Sequence, residues 1–429
     1  LPSIIRESKV SLLDTIDNST KKDIIEVFEE ILKITIENEN IDFYSLGGDS
    51  IKAIRIVSKL KNRGYKLRTN DIVDSKSIDE IILRLGNTNE EKLISQPFES
   101  DIILSPIQKE FFRKDFFVKE HFNQCETLYI NSSLNDLEIK SIFKELTENH
   151  ILFKVNFDQN NQPFINRGRE LFLFESHDFK DLNSDEFNIK FKLICEKNQN
   201  KFDLENSPLI NIVLFKSSTG SYIFITIHHL IIDGVSWRLL NDELNTIFTK
   251  RIENREIDLP RENITFFEWA RKLDKYQTRI LKEEKSYWDK INNDLEKINS
   301  SKTKLSINNI NSKKITIDMD DSLFLTGNSK HAYRINDIFL AALIKAVNRD
   351  TLALMLESHG RESIEQNIEN DSMIGWFTSI YPVIFENKKD FDDLLASVSC
   401  ITKRIPNRGL NYLAYKDQKI SNYEKVFEP

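Results

Sequence analysis

The stretch Ile225-Thr226-Ile227-His228-His229-Leu230-Ile231-Ile232-Asp233-Gly234-Val235-Ser236-Trp237 decides how the larger part of this chain is read. It closes an apolar, partly β-branched run, Tyr222–Ile227, which predicts a buried strand. Two adjacent histidines at a strand end point to opposite faces, so at most one faces a given cleft. An imidazole there can take or give a proton near neutral pH. Asp233, four residues after His229, can hold the ring or brace a loop, and Gly234 permits a tight turn. Adjacent histidines are poorly placed to ligate one ion together. No His-Glu-x-x-His spacing follows, so no metal site is expected.

Working outward, similar runs predict strands at Thr351–Leu356 and Ile380–Phe385, and helices at Leu239–Ile247, Tyr276–Ile291 and Ile338–Val347. Upstream the pattern is helical. Ser19 and Thr20 cap a helix carrying Ile24, Ile25, Phe28, Ile31 and Leu32. A second helix follows Ser50, with Ile51, Ile54, Val57 and Leu60 near one face and Lys52, Arg55 and Lys59 on another. A third starts at Ser77, with Glu80 completing a capping box and Gly86 at the C′ position. The chain therefore divides into a small helical bundle over 15–86, a polar linker over 87–100 and an α/β region over 101–429. The α/β region is read as two lobes, about 101–270 and 271–429. Before the second helix stands Gly47-Gly48-Asp49-Ser50. By spacing alone, Ser50 reads as an ordinary N-cap after a glycine turn. A phosphate attached to it would also meet the positive end of the helix dipole and free N–H groups.

Composition narrows the classes. The 429 residues carry 60 basic and 68 acidic side chains, a net charge of −8, and are 40% hydrophobic with 29 Phe. At about 150 residues per domain, two to three domains are expected. Disorder is excluded by the spread of Ile, Leu and Phe, and a mildly acidic surface argues against nucleic acid as the electrostatic partner. No apolar run approaches the roughly 18 residues that span a bilayer. Three cysteines, Cys125, Cys195 and Cys400, are odd in number and widely spaced. Reduced thiols in the cytoplasm are expected rather than disulfides or a zinc site. The start, Leu1-Pro2, has neither Met nor a signal-peptide core and reads as an interior segment of a longer protein.

The string around Ser50 resembles the core motif of peptidyl carrier (thiolation) domains of nonribosomal peptide synthetases. The resemblance implies a 4′-phosphopantetheine arm, covalent on Ser50. Asp49 before that serine is similar to the variant on carriers that precede epimerization domains, and Leu1-Pro2 is similar to the end of an adenylation domain. Lys52, Arg55 and Lys59 are then candidates for a docking face.

The His228–Trp237 string resembles the His-His-x-x-x-Asp-Gly motif of the chloramphenicol-acetyltransferase-like condensation superfamily. Its extension through Ser236-Trp237 looks like epimerization domains. Ser105-Pro106-Ile107-Gln108 with Phe111-Phe112, then His121-Phe122-Asn123-Gln124, resembles the opening of such domains. Glu357-Ser358-His359-Gly360-Arg361-Glu362 is similar to their Glu-Gly-His-Gly-Arg-Glu motif, with Ser358 in place of glycine. Gly375-Trp376-Phe377-Thr378-Ser379-Ile380-Tyr381-Pro382 matches another motif closely. Pro406-Asn407-Arg408-Gly409-Leu410-Asn411-Tyr412-Leu413 matches a later one in part, with Asn411 and Leu413 where small residues are usual. No clear Phe-Asn-Tyr-Leu-Gly string precedes Pro429. The domain is expected to continue beyond Pro429; the alternative is that Asn411-Tyr412-Leu413 partly serves in its place.

The resemblance implies a small four-helix-bundle carrier followed by a bilobal chloramphenicol-acetyltransferase-like α/β domain. That domain would epimerize, from L to D at Cα, the aminoacyl or peptidyl thioester on its own carrier. His229 and Glu357 are the implied catalytic pair. His228, Asp233, Gly234, Trp237, His359, Arg361, Trp376 and Tyr381 are supporting residues. Glu357 and His229 each end a predicted strand. If those strands come from opposing lobes, both reach one tunnel, where burial would raise the carboxyl pKa. A structural alternative pairs Glu357 with Arg361. The implied partners are an upstream adenylation domain, a downstream condensation domain and a phosphopantetheinyl transferase, with no nucleic acid and no membrane. Two other functions remain open: a condensing acyltransferase in which His229 activates an amine, and an idle docking module.

Overall fold

The computed structural model describes residues 18–36, 40, 42–65, 67–85, 102–114, 116–132, 134–167, 170–253, 255, 264–298, 333–365, 368 and 370–420. The linker, Gly86, Leu1-Pro2 and the end at Pro429 lie outside them. The described residues fall into two compact units. One draws on Leu1–Glu91, Gln277–Glu362 and Ser379–Pro429, the other on Lys92–Tyr276 and Ser363–Thr378.

The first of these begins with four helices, α1 (Asn18–Leu32), α2 (Ser50–Asn62), α3 (Thr69–Val73) and α4 (Ile78–Leu85). Ile24, Phe28, Phe43, Ala53, Ile56, Leu60, Ile72 and Ile81 close one core. Each fully buried Ile or Phe contributes about 2 kcal/mol. On α2 the expected stripe is borne out at Ile54, Val57 and Leu60 and is wider than expected. Ala53 and Ile56 are buried, whereas Ile51 is half-buried. The helix starts differ too. Ser19 and Thr20 lie inside α1 rather than capping it. Asp49, not Ser50, caps α2, its Oδ1 accepting from the backbone N–H of Ile51 (2.9 Å) and Lys52 (2.8 Å). Ahead of α4, Ser77 Oγ accepts from Glu80 N at 3.2 Å. Glu80 Oε2 reaches back one residue further than a capping box, to Lys76 N at 2.9 Å.

In the second unit, α5 (Pro106–Arg113) precedes β1 (Asn123–Ile130), α6 (Asp136–Asn149), β2 (Val155–Phe157), β3 (Pro163–Ile165) and β4 (Leu173–Asp178). Then come α7 (Ser184–Asn198), β5 (Ile210–Lys216), β6 (Ser221–His228), α8 (Gly234–Ile252) and α9 (Phe266–Ile298). The main sheet runs β1-β6-β5-β4, antiparallel except for the parallel β4–β5 pair. The β5 run Ile-Asn-Ile-Val-Leu-Phe is buried on both faces, its one polar member, Asn211, donating from Nδ2 to Asn198 Oδ1 at 2.8 Å. Helix α8 is tied to β1 by a two-rung ladder. Trp237 and Asn241, one turn apart, donate to Gln124 Oε1 (2.8 Å) and Glu126 Oε2 (2.6 Å), two residues apart on one strand face. Residues 363–378 were expected in the second lobe but pack here. Gly375 allows this, since a Cβ there would lie 2.4 Å from the Phe266 ring.

The first unit resumes with the rest of α9, then α10 (Ile335–Val347), β7 (Thr351–Ser358), β8 (Ser379–Glu386), α11 (Phe391–Arg404) and α12 (Tyr412–Ile420). Strands β7 and β8 pair antiparallel, with Leu356 opposite Tyr381 and Glu357 opposite Ile380. Among the described residues no helix is long and apolar enough to cross a membrane.

Candidate functional site

Strand β6 delivers His228, and the chain then turns through residues 229–231 before α8. His229 therefore stands in a short 3-10 turn rather than on the strand, and the two imidazoles diverge for that reason. His228 is wholly buried. Its Nε2–H donates to Lys119 O at 3.0 Å, and its Nδ1 accepts from Leu230 N at 3.2 Å. Burial pushes its pKa down to about 4, against the pull of the Lys119 carbonyl, so the ring is neutral.

His229 is half-buried and wedged between aromatic rings. It stacks on Phe122 (centroids 5.1 Å apart, 16° between planes) and lies 4.5 Å from Trp376. Its backbone N–H donates to Phe122 O at 2.9 Å. Nδ1 sits 2.8 Å from Ile232 O. A carbonyl only accepts, so Nδ1 carries the proton and Nε2 keeps its lone pair. That lone pair lies 2.9 Å from Gln124 Nε2. Gln124 Oε1 in turn accepts from Trp237 Nε1, which fixes the amide's orientation.

Asp233 braces a loop and does not hold the ring. Oδ1 accepts from Ser236 N at 2.7 Å, capping α8, and Oδ2 accepts from Phe377 N at 3.0 Å. Ser236 Oγ binds both the N–H and the carbonyl of Gly375. Two motifs read separately in the sequence thus form one structure. Gly234 begins α8 and needs no special backbone conformation. Nothing would lie closer than 4.0 Å to a Cβ there. Gln108 ties in the opening motif. Its Oε1 accepts from Ser105 N while its Nε2 donates to Leu230 O at 2.8 Å. Trp376 Nε1 is buried without a hydrogen-bond partner among the described residues.

Glu357 belongs to the other unit, at the end of β7. It is exposed, on the strand face it shares with exposed Met355, so the enclosure expected around its carboxylate is not present there. Arg361, its alternative partner, is buried. Past the strand, His359 Nδ1 accepts from Arg361 N at 3.0 Å, leaving Nε2–H facing Glu362 Oε1 at 3.5 Å. Arg408 Nε lies 3.6 Å from the same oxygen. Tyr381 is buried on the opposite face of this ribbon, and burial pushes its phenol up to about 12. The segment Asn407, Arg408, Gly409 is left-handed throughout (φ 43°, 46° and 75°). Glu284 holds it, its Oε1 accepting from Asn407 Nδ2 (2.7 Å) and Asn411 Nδ2 (2.8 Å). Asn411 is thus a buried structural tie.

In the carrier-like bundle, Ser50 is the half-buried first residue of α2. Gly47 is left-handed (φ 81°) with open space where a Cβ would be, and a Cβ on Gly48 would lie 2.5 Å from Phe43. Asp42 pins the turn by accepting from Tyr44 N, Ser45 N and Ser45 Oγ. Burial raises its carboxyl pKa, but these hydrogen bonds outweigh it and hold the group below its usual value. The open ground ahead of a hydroxyl at a helix start fits a bulky phosphodiester. Of the basic residues on α2, Lys52 Nζ donates to Gly47 O at 2.7 Å and Lys59 pairs with Glu30 at 2.5 Å. These contacts tie the loop and the bundle.

Residues 98–424 match the family described as Condensation domain, and residues 22–85 the family described as Phosphopantetheine attachment site. Gramicidin S synthase 1 of Brevibacillus brevis is 31% identical over 421 residues, 93% of this chain and 38% of that protein. Tyrocidine synthase 2 of Brevibacillus parabrevis is 30% identical over 405 residues, 90% of this chain and 11% of that protein. The chain thus spans well under half the length of these relatives. Among solved structures, the epimerization domain from the third module of tyrocidine synthetase B is similar, with TM-score 0.65 and 27% identity. The match covers 77% of this chain and 76% of that one. The first condensation domain of the CDA synthetase shares the fold, with TM-score 0.54 and 13% identity over 74% and 76%. The chain belongs to the condensation-domain family of nonribosomal peptide synthetases, and the attachment domain ahead of it makes 4′-phosphopantetheine its covalent cofactor.

Proposed function

We propose that the condensation-family domain epimerizes, at Cα, an aminoacyl or peptidyl group held as a thioester on an arm attached to Ser50. The observation that carries this reading is the greater likeness to the tyrocidine epimerization domain than to the CDA condensation domain. The arm supplies an activated thioester on a tether, which replaces diffusion by high local concentration. The chain's own residues then move protons. Glu357 takes the Cα proton of the L-centre, breaking the C–H bond, and the electron pair spreads onto the thioester oxygen. A well-placed donor to that oxygen is worth roughly 3 kcal/mol. His229, after taking a proton from water at Nε2, returns it to the opposite face of Cα and is left neutral. Exchange with water restores Glu357 to its starting state. Phe122 and Trp376, packed around His229, hold the imidazole. We further propose that the chain works in the cytoplasm beside adenylation and condensation domains and is loaded by a phosphopantetheinyl transferase.

A neutral His229 whose Nε2 accepts hydrogen bonds also suits activation of an amine, so peptide-bond formation is the second reading. One assay separates them. The carrier is loaded with an L-aminoacyl-phosphopantetheine and incubated in deuterated water, and the released amino acid is analysed. D-isomer deuterated at Cα is expected, with at least ~100-fold loss in Glu357→Gln. Unchanged L-isomer, with Glu357→Gln behaving like the parent, overturns the proposal. Amide formation with an added aminoacyl carrier supports the second reading.

A further inference from the structure

The hydrogen-bond chain behind His229 has a direction that the proposed chemistry must reverse. Trp237 Nε1 has only a proton to give, and it gives it to Gln124 Oε1 at 2.8 Å. The Gln124 amide nitrogen must then face His229, 2.9 Å from Nε2, and it can only donate. The carbonyl of Ile232 fixes the other end, because it can only accept from Nδ1. Every member of the chain has one permitted role. His229 is neutral, Nδ1–H tautomer, with Nε2 as acceptor. A proton placed on Nε2 would face the Gln124 N–H donor, and Gln124 cannot turn its oxygen toward the ring without presenting its donor to Trp237 N–H.

We propose that Gln124, oriented by Trp237, is a positioning residue that holds His229 in its neutral form and must rotate when His229 takes up a proton. The proposal rests on the role given to His229 above. It uses Trp237 in a way the motif alone does not indicate.

Among the described residues, His228 couples electrostatically to His229 but is neutral above about pH 4, and Glu126, Arg238, His121, Asp233 and Glu365 have partners of their own. His228 is turned away onto Lys119 O. On β1, Glu126 binds Asn241, and on α8, Arg238 binds Gly234 O. On the turn before β1, His121 lies against Gln199 O. Asp233 serves Ser236 and Phe377, and Glu365 of the 363–378 segment pairs with Lys272.

The test reads the ring directly, with no substrate. The full chain is labelled with 15N-histidine and each imidazole is titrated by NMR, the His229 signals being assigned with His229→Gln. The parent should show the Nδ1–H tautomer. Trp237→Phe, which frees the amide to rotate, should raise the His229 pKa by about half a pH unit. Gln124→Glu, which offers an acceptor to the imidazolium, should raise it by ~1 pH unit or more. Gln124→Leu, which removes the donor, should shift the tautomer ratio toward Nε2–H. Unchanged His229 titration and tautomer in all three folded variants overturns the proposal. Because no turnover is measured, failure of the epimerase reading would leave this result standing, and the reverse also holds.

Discussion

Ser236 and Gly375 stand 139 residues apart, and one hydroxyl binds both polar atoms of the glycine backbone, donating to the carbonyl at 2.9 Å and accepting from the N–H at 3.0 Å. With the Asp233–Phe377 bond, this fixes the loop that sets Trp376 against His229. Ser236 is fully buried, so its loss leaves a buried N–H and C=O without their partner. Ser236→Ala should cost about 1–3 kcal/mol in urea unfolding and lower the proposed epimerization further than the stability loss explains. Full activity with an unchanged unfolding midpoint would remove the loop from any role.

His228 gives the fold a pH dependence. Its pKa falls from 6.5 to about 4 on folding because the ring is buried. As pH drops below 6.5 the unfolded chain takes up a proton that the folded chain refuses. Stability should therefore fall between about pH 6.5 and 4, by roughly 3 kcal/mol, and level off below. Urea unfolding at pH 7.5 and 4.5 measures this. His228→Gln should lose that part of the slope. An identical slope in the variant would assign it to other groups.

Gly409 combines a left-handed backbone with closeness to Tyr381, whose ring would lie 1.8 Å from a Cβ. Gly409→Ala must strain the backbone and displace the Tyr381 ring. A cost of roughly 2–5 kcal/mol is expected, seen as a lower thermal midpoint. A midpoint within a degree of the parent would mean that Tyr381 has room to move.

At the carrier, the capping residue Asp49 stands directly before Ser50, the proposed attachment point. Asp49→Ala should weaken the bundle by about 1 kcal/mol while leaving Ser50 open to loading. Ser50→Ala should keep the helix and abolish loading. Intact mass after incubation with coenzyme A and a phosphopantetheinyl transferase reads both. Loading of Ser50→Ala would move the attachment site elsewhere.

The strand and helix cores were legible because their period is local. The run Tyr222–Ile227 predicted β6 within a residue at either end, and the helix expected at Leu239–Ile247 lies inside α8. Helix starts were less legible. Asp49 and Ser50 are both good caps, and only the backbone at Asp49, extended at φ −142°, decides between them. The role of Gln124 is not legible in its motif, since its partner His229 lies 105 residues away and no spacing rule links them. The exposure of Glu357 is not legible, because an apolar strand does not reveal which of its faces is covered. Here Glu357 shares its face with exposed Met355.

The return of residues 363–378 to the unit that the chain leaves at Tyr276 bears on how the protein is made. The ribosome delivers His229, its turn and the whole of α8 well before Gly375 and Phe377. Until then Asp233 and Ser236 lack those backbone partners, and Phe266 lacks the ring of Phe377 beside it, 5.1 Å away. Contacts of such long sequence separation form slowly, and an open apolar core is an aggregation hazard while it waits. A nascent chain stalled before residue 363 should therefore be cut readily by protease near α8, and one stalled after α12 should resist.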